Sequence, residues 1–333
     1  MTAAIPVGDA ALAARLVDRM DLVETRLRAA TANHDALADT ASRHLMAAGG
    51  KRLRPFLTLL TAELGDGGAD DAVVAGTVVE LTHLASLYHD DVMDSAAVRR
   101  GVPAAHAVWG NTVAILMGDL LFARASALVS GLGPDAVLLQ SETFERLCMG
   151  QLHETVGPQD GDDAVDHYLQ VLADKTGSLI ALSARFGALL SGCAPEVVTA
   201  VTGYGEKVGV SFQLADDVID LTSSGSTSGK TPGTDLREHV PTMPVLLLRR
   251  LVASGEAGPA DVDLLALLDS DLSDDAVLAG AVAALREHRV VAQTRDLAVR
   301  WAHDAVAELA PLPAGHVKDA LSTFADALSD RAS

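Results

Sequence analysis

The sequence predicts an all-α protein. Three observations carry that prediction: segments of helical length lie between short breakers, apolar residues recur inside them at helical spacing, and no stretch shows sustained β-type alternation. Residues 9–47 read as two amphipathic helices rich in Ala, Leu and Arg. Gly49 and Gly50 end the second, and Pro55 falls where a new helix can begin. After LGDGGADD (64–71), the stretch 73–100 is an apolar helical run through Val74, Val78, Leu81, Leu84, Ala85 and Tyr88 that closes on Asp90, Asp91 and Asp94. Further breakers at 131–134, 156–161, 191–195, 254–261 and 311–315 bound helix-length segments, and 205–220 forms a second apolar run ending in aspartates. No long polar linker interrupts the chain, so 1–333 reads as a single domain.

Composition narrows the function. A net charge of -20 with only 25 Lys and Arg excludes a nucleic-acid partner, because phosphate-backbone binding depends on clustered cations. Cys148 and Cys193 lie far apart without metal-type spacing and read as reduced, partly buried thiols of a cytoplasmic protein. The N-terminus lacks a basic n-region and has Asp9 within its apolar part, so no targeting segment is expected. The longest uncharged stretch, 101–118, is broken by Gly, Pro, His and Asn. A membrane contact, if an apolar product brings one, is peripheral.

The two aspartate-ended runs carry the chemistry. Asp90 and Asp94 lie four apart on one helical face, at the C-terminal end where the macrodipole is already negative. Each such repulsion costs about 0.3–1 kcal/mol, and a divalent cation reverses its sign. Hard oxygen ligands favour magnesium. Asp216, Asp217 and Asp220 repeat the design, and two such ends facing each other would make a carboxylate cage for magnesium bound to a diphosphate. The pentad DDAVD (162–166) has the same letters but follows GPQDG with no apolar helix leading into it; it reads as a solvated helix start.

Cations are scarce and therefore informative. GGKRLRP (49–55) gathers Lys51, Arg52 and Arg54 at a helix N-terminus, which is either an anion site or a solvated basic turn. TSSGSTSGKTPGTD (222–235) carries the single cation Lys230; a lid over a bound diphosphate would look like this, and so would a surface loop.

Taken in order, GGKRLRP, DDVMD followed by RR, GDLLFARA (118–125), KTGSL (175–179), FQLADDVID (212–220) and GKTPGTDLRE (229–238) resemble the trans-isoprenyl (polyprenyl) diphosphate synthases over about residues 45–250. The resemblance implies an isoprenoid-synthase bundle of helices around a central cavity, usually homodimeric. It implies a magnesium-dependent prenyltransferase, with three ions per active site, that condenses isopentenyl diphosphate with an allylic diphosphate into an all-trans polyprenyl diphosphate. On this resemblance Asp90, Asp94 and Asp216 would ligate the metal, with Asp91, Asp217 and Asp220 supporting. Arg99, Lys175 and Lys230 would hold the allylic diphosphate; Lys51, Arg54, His83 and Arg100 would hold that of isopentenyl diphosphate. His83, seven before Asp90 on the same face, is open to a second reading as a satisfied core histidine. Thr176 and Gln213 would place oxygen dipoles near the cation, or else bond backbone within their helices. One departure is that His239 and Val240 stand where the family often has a Gly-Lys pair, which removes a second lid cation.

Helix geometry bears on product length. A chain growing back along 73–90 advances about 5.4 Å per turn, close to one isoprene unit. Ala85 and Ser86, five and four before the first aspartate, are small where short-chain relatives often place an aromatic. The floor therefore reads as open and the product as medium to long, roughly six or more units on that spacing, with geranylgeranyl as the alternative if Tyr88, Met117 or Phe122 closes the path. A class I terpene cyclase is the nearest rival; it has no use for a second diphosphate site at GGKRLRP, and 3% aromatic content leaves few π faces for migrating cations. A non-catalytic helical subunit is the other, and the intact aspartates, Arg99 and Arg100 speak against it.

Overall fold

Four of the acidic residues start helices. Asp9, Asp35, Asp163 and Asp274 each occupy an N-cap and accept hydrogen bonds from backbone N–H groups two or three residues on, satisfying donors that the first helical turn leaves unpaired. The computed structural model describes residues 7–67, 70–222, 232–238 and 240–330. Among these the fold is all-α. The order is α1 (Ala10–Thr31), α2 (Ala36–Ala47), α3 (Leu53–Ala62), α4 (Asp70–Met93), a hairpin of β1 (Val98–Arg99) and β2 (Val102–Pro103), α5 (Ala105–Trp109), α6 (Asn111–Ser130), α7 (Pro134–Val156) and α8 (Ala164–Leu172). A single π-helical turn (Ala173–Gly177) leads into α9 (Ser178–Leu190) and α10 (Pro195–Thr222). Then come α11 (Thr234–Arg237), α12 (Met243–Ala253), α13 (Pro259–Leu268), α14 (Asp275–Arg286), α15 (Arg289–Glu308) and α16 (His316–Ser329). Cys148 and Cys193 are unpaired, and Cys148 is exposed rather than partly buried.

The chain divides into two compact units, each discontinuous in sequence, which is why no linker marks their boundary. One comprises the residues up to Glu145, Ser178–Gly205 and Glu308–Phe324. In it α1 buries the stripe Leu12, Leu16, Met20, Val23 and Leu27, spaced three and four apart as an amphipathic helix requires. α3 is buried from Pro55 to Ala62, and the Phe56 ring stacks on Phe324 with centroids 6.0 Å apart. α9 lies so close to α3 that a Cβ built on Gly187 would sit 2.0 Å from the Thr58 carbonyl oxygen. The other unit comprises Arg146–Gly177, Glu206–Ala307 and the residues from Ala325 on. Its core joins Val165 and Tyr168 of α8, Val210, Leu214, Val218 and Leu221 of α10, and apolar faces of α12 to α15.

The hairpin pairs Val98 with Pro103 and Arg99 with Val102. Its two loop residues, Arg100 and Gly101, both have positive φ (54° and 77°), the requirement of the primed turns that match strand twist.

Two glycines test this packing with opposite signs. Gly187→Ala forces α9 away from α3 and is expected to lower stability by about 1–3 kcal/mol. Gly280 lies exposed in α14 with nothing within 4 Å of a built Cβ, so Gly280→Ala should raise stability by about 0.5–1 kcal/mol through helix propensity. Denaturant midpoints of the two variants against the parent chain are the check.

Candidate active site

In the first unit, α4 opens on Asp70 and Asp71, where acids suit the dipole, and closes on Asp90 and Asp91 with no basic residue in its last turn. Asp94 follows directly, its N–H donating to the Asp90 carbonyl at 2.8 Å. Asp90 is half-buried and Asp94 exposed. Asp91, a hundred or so degrees round the helix, is 0% exposed and accepts from Arg99 Nε at 2.6 Å. Its Oδ2 is buried without a partner among the described residues. Asp91 thus anchors the hairpin, and Arg99, expected only as a diphosphate ligand, has one side of its guanidinium engaged by that anchor.

Five basic side chains converge near the start of α3. Arg100, in the positive-φ hairpin loop, donates to the Leu45 carbonyl at 3.1 Å and to the Gly49 carbonyl. Its guanidinium passes so near Gly50 that a Cβ there would lie 2.9 Å from Cζ, so the second glycine of GGKRLRP makes room for it. Burial lowers the Arg54 guanidinium to about 10, with Glu80 opposing and Arg100 adding to the shift; it stays cationic at neutral pH. Its Nε is buried with no partner among the described residues. His83 is pushed well below the ordinary imidazole range by burial first, then by Arg54, Arg100, Arg99 and Arg52, and is neutral. Lys51 is exposed beside the cluster. Arg52, the remaining cation of GGKRLRP, is held by the protein itself. It is 6% exposed, with Nε on Glu24 at 2.6 Å, Nη1 on Glu80 at 2.9 Å and Nη2 toward the Met46 carbonyl at 3.3 Å. Its fork is spent on the protein.

In the second unit, Asp216 and Asp220 are half-buried near the end of α10. The structure withdraws Asp217 from the metal-binding role expected of it. It is 2% exposed, both its oxygens accept from the Tyr168 hydroxyl at 3.1 and 3.0 Å, and the Met243 N–H at the start of α12 donates to Oδ2 at 3.1 Å. Burial pushes its carboxyl well above the ordinary carboxylate range. Lys175 and Thr176 ride on the π-helical turn, a deformation that re-aims side chains within a helix. Lys175 pairs with Glu154 at 2.5 Å, and Thr176 Oγ1 lies 3.5 Å from Gln213 Oε1, so the two dipoles expected to act together are neighbours. Arg146 braces the turn through Asp174 at 2.8 Å and Glu206 at 3.0 Å. Lys230 and His239 lie outside the described residues; Gly233, within the 222–235 segment, donates to the Asp220 carbonyl at 3.1 Å. The pentad 162–166 is the solvated helix start its context indicated, with Asp163 capping α8 and Asp162 accepting from the Gln159 N–H.

The open floor expected at Ala85 and Ser86 takes a different form. They are 0% and 7% exposed, and the Ser86 hydroxyl donates to the His83 carbonyl. Tyr88 is committed to the Ala41 carbonyl at 2.5 Å. Phe122 instead stands 5.6 Å from the His89 ring and 4.3 Å from Phe144, an aromatic wall beginning one residue from Asp90. Sequence reading missed Glu80, Glu154, Arg146 and Tyr168; Glu80 had a signal, since a carboxylate in an apolar helical run needs a partner.

Neither aspartate motif alone gathers three or more candidate ligands among the described residues. Each presents two accessible carboxylates four apart. Such a pair fits magnesium, which takes one or two carboxylates and completes its shell with water and substrate phosphate.

The neutral His83 has a measurable consequence. The unfolded chain binds a proton there as pH falls through about 6.5 while the folded cluster does not, so the stability tied to His83 is present above that value and lost below it. The loss runs at up to about 1.4 kcal/mol per pH unit. The melting temperature of the parent chain should therefore fall more between about pH 7.5 and 5.5 than that of His83→Asn.

Comparison with known proteins bears on the family and the fold. The polyprenyl synthetase family profile matches residues 35–284. The nonaprenyl diphosphate synthase of Mycobacterium tuberculosis is 44% identical over 98% of this chain and 96% of its own. The crystal structure of geranylgeranyl pyrophosphate synthase from Corynebacterium glutamicum, complexed with calcium and isoprenyl diphosphate, superposes with a TM-score of 0.85 at 42% identity, covering 98% and 99%. A decaprenyl diphosphate synthase from Rhodobacter capsulatus gives 0.85 at 32%, covering 97% and 98%. With a match across most of its length and the motifs in order, the chain belongs to the polyprenyl synthetase family of trans-isoprenyl diphosphate synthases.

Proposed function

We propose that the chain joins isopentenyl diphosphate head-to-tail to an allylic diphosphate and repeats the step to give an all-trans polyprenyl diphosphate of medium to long chain. The observation that carries this reading is the cluster of Arg54, Arg100 and neutral His83 at the start of α3. A cyclase ionises one diphosphate and needs no second cationic subsite; a condensing enzyme holds two. Lys51, Arg54, His83 and Arg100 bind the diphosphate of isopentenyl diphosphate, His83 as a neutral hydrogen-bonding group. Lys175, Arg99 and Lys230 hold the allylic diphosphate. Asp90, Asp94 and Asp216, with Asp220, are the residues that would hold magnesium, three ions in all. When bound, the metal withdraws charge from the leaving diphosphate.

Each residue then has a stated task. The cations around the allylic diphosphate stabilise the negative charge that develops as its C–O bond breaks and the electron pair stays on oxygen. The double bond of isopentenyl diphosphate supplies the pair for the new C–C bond, and the resulting cation loses a proton to the departing diphosphate. Thr176 and Gln213 orient oxygen dipoles toward the positive carbon. The carboxylates of Glu154 and Asp91 keep Lys175 and Arg99 in place between turnovers.

The functional unit is a soluble cytoplasmic homodimer. α6 is apolar enough in length and composition to cross a membrane, yet it carries Asp119 and Arg124. Its exposed Ile115 and Leu116 (42% and 54%) are apolar side chains suited to burial against a second copy. A geranylgeranyl product is the second reading, favoured by the covering of Ala85 and the wall of Phe122 and Phe144.

A magnesium-dependent diphosphate-release assay, run with an allylic substrate with and without isopentenyl diphosphate, tests the reaction. Release that requires both substrates supports it; release from the allylic substrate alone points to a cyclase. Asp90→Ala and Asp216→Ala should each slow turnover by at least ~10²-fold, and Asp162→Ala should leave it unchanged. Product analysis tests length. The parent chain is expected to make six or more units, and Phe122→Ala to shift the distribution longer; an unchanged distribution means the chain does not grow along that wall.

A further inference from the structure

Glu80 is 2% exposed in the middle of α4, deep in the first unit. A carboxylate so placed requires compensation, and its Oε1 accepts from Arg52 Nη1 at 2.9 Å. Arg52 is also held by Glu24 of α1 and by the Met46 carbonyl near the end of α2. The backbone at Arg52 is unusual as well. It is the N-cap of α3 in a left-handed conformation (φ 52°, ψ 36°), with no side-chain capping bond to hold it. A non-glycine residue persists there only when its surroundings determine it, and here three contacts to the guanidinium do so. The direction of the chain at Arg52 fixes where Lys51 and Arg54 stand on either side of it.

Glu80 also lies three residues before His83, on the same face of α4. Its charge opposes the lowering of both Arg54 and Arg100 by burial. It is therefore linked to both half-buried arginines of the cluster and to the buried Arg52 while carrying the wrong charge to touch a diphosphate.

We infer that Glu80 is a positioning residue for the isopentenyl diphosphate subsite, setting the start of α3 through Arg52 and so aiming Lys51 and Arg54. This rests on the assignment of that cluster to isopentenyl diphosphate. The acidic side chain works through the arginine rather than on the substrate.

The test is the apparent KM of each substrate with the other saturating, measured on full-length variants whose folding is checked by circular dichroism. Glu80→Ala should raise the KM for isopentenyl diphosphate by about tenfold or more and leave the allylic KM within about twofold. Arg52→Ala should do the same, and the double variant should be no worse than either single, because the two residues act as one strut. Glu80→Gln keeps an acceptor for Arg52 without the charge and should fall in between. An isopentenyl diphosphate KM below that of the parent in Glu80→Gln would overturn the inference, since Glu80 would then merely repel the anion. Equal increases for both substrates, or additive effects in the double variant, would also overturn it. Should Glu80→Ala fail to fold, Glu24→Gln releases Arg52 from the surface side and should raise the same KM about threefold; no change there overturns the inference. Lys51→Ala and Arg54→Ala separate the two levels. If they leave the isopentenyl diphosphate KM unchanged, the subsite assignment falls and the role of Glu80 with it; if they raise it while Glu80→Ala does not, Glu80 alone is wrong.

Discussion

Guanidinium groups can be packed side by side in a half-buried cluster only if a carboxylate is buried with them. The pair of Arg52 and Glu80 meets that condition in the first unit, and the rest of the cationic site depends on it. Without the charge of Glu80, Arg54 and Arg100 would lose their largest electrostatic compensation in the low-polarity interior. Removing one member of such a pair is far more disruptive than its net contribution to stability, since the other is left charged and buried. The left-handed start of α3 and the passage of Arg100 over Gly50 accompany the crowding of these cations around one acid, and the same cations add to the burial that keeps His83 neutral.

The two aspartate motifs share a division of labour that comes from helix periodicity. Positions i and i+4 fall on one face, while i+1 is turned about 100° away, into the core. Asp90 with Asp94, and Asp216 with Asp220, are the accessible pairs; Asp91 and Asp217 are buried. The buried members meet different partners. Asp91 faces a cation, Arg99, and so remains an ion-pair anchor. Among the described residues Asp217 accepts from the neutral donors Tyr168 and the Met243 N–H, and burial favours its protonated form. Five letters that look alike thus hold two accessible carboxylates and one internal tie, and the tie secures a different neighbour in each unit.

That division marks where the sequence was legible and where it was not. Helices, their breakers and the decoy at 162–166 could be read because they depend on local signals: apolar period, glycine and proline punctuation, capping aspartates. The direction of Asp217 depended on what lay against the far side of α10, and Tyr168 is 49 residues away. The π-helical turn under Lys175 and Thr176 has no composition signature; Arg146, Asp174 and Glu206 stabilise it from three separate segments. The hairpin at 98–103 was too short to show alternation, although Arg-Gly at its tip carries the two positive φ values it needs. The two units escaped notice because each is assembled from separated stretches of chain.

An enzyme with net charge -20 must still capture substrates that are themselves polyanions. At physiological ionic strength the Debye length is about 8 Å, so most of that negative charge is screened from a ligand at the mouth of a site. What the ligand meets is local. The acids nearest the cationic cluster are engaged: Glu80 and Glu24 by Arg52, Asp91 by Arg99. Many others cap helices or lie on the surface, where water and counterions compensate them. The long-range field therefore gives little steering, and capture relies on short-range contacts that need each cation in its place. Under that constraint the residue that sets the geometry of the cations matters as much as the cations themselves, and in the first unit that residue is an acid.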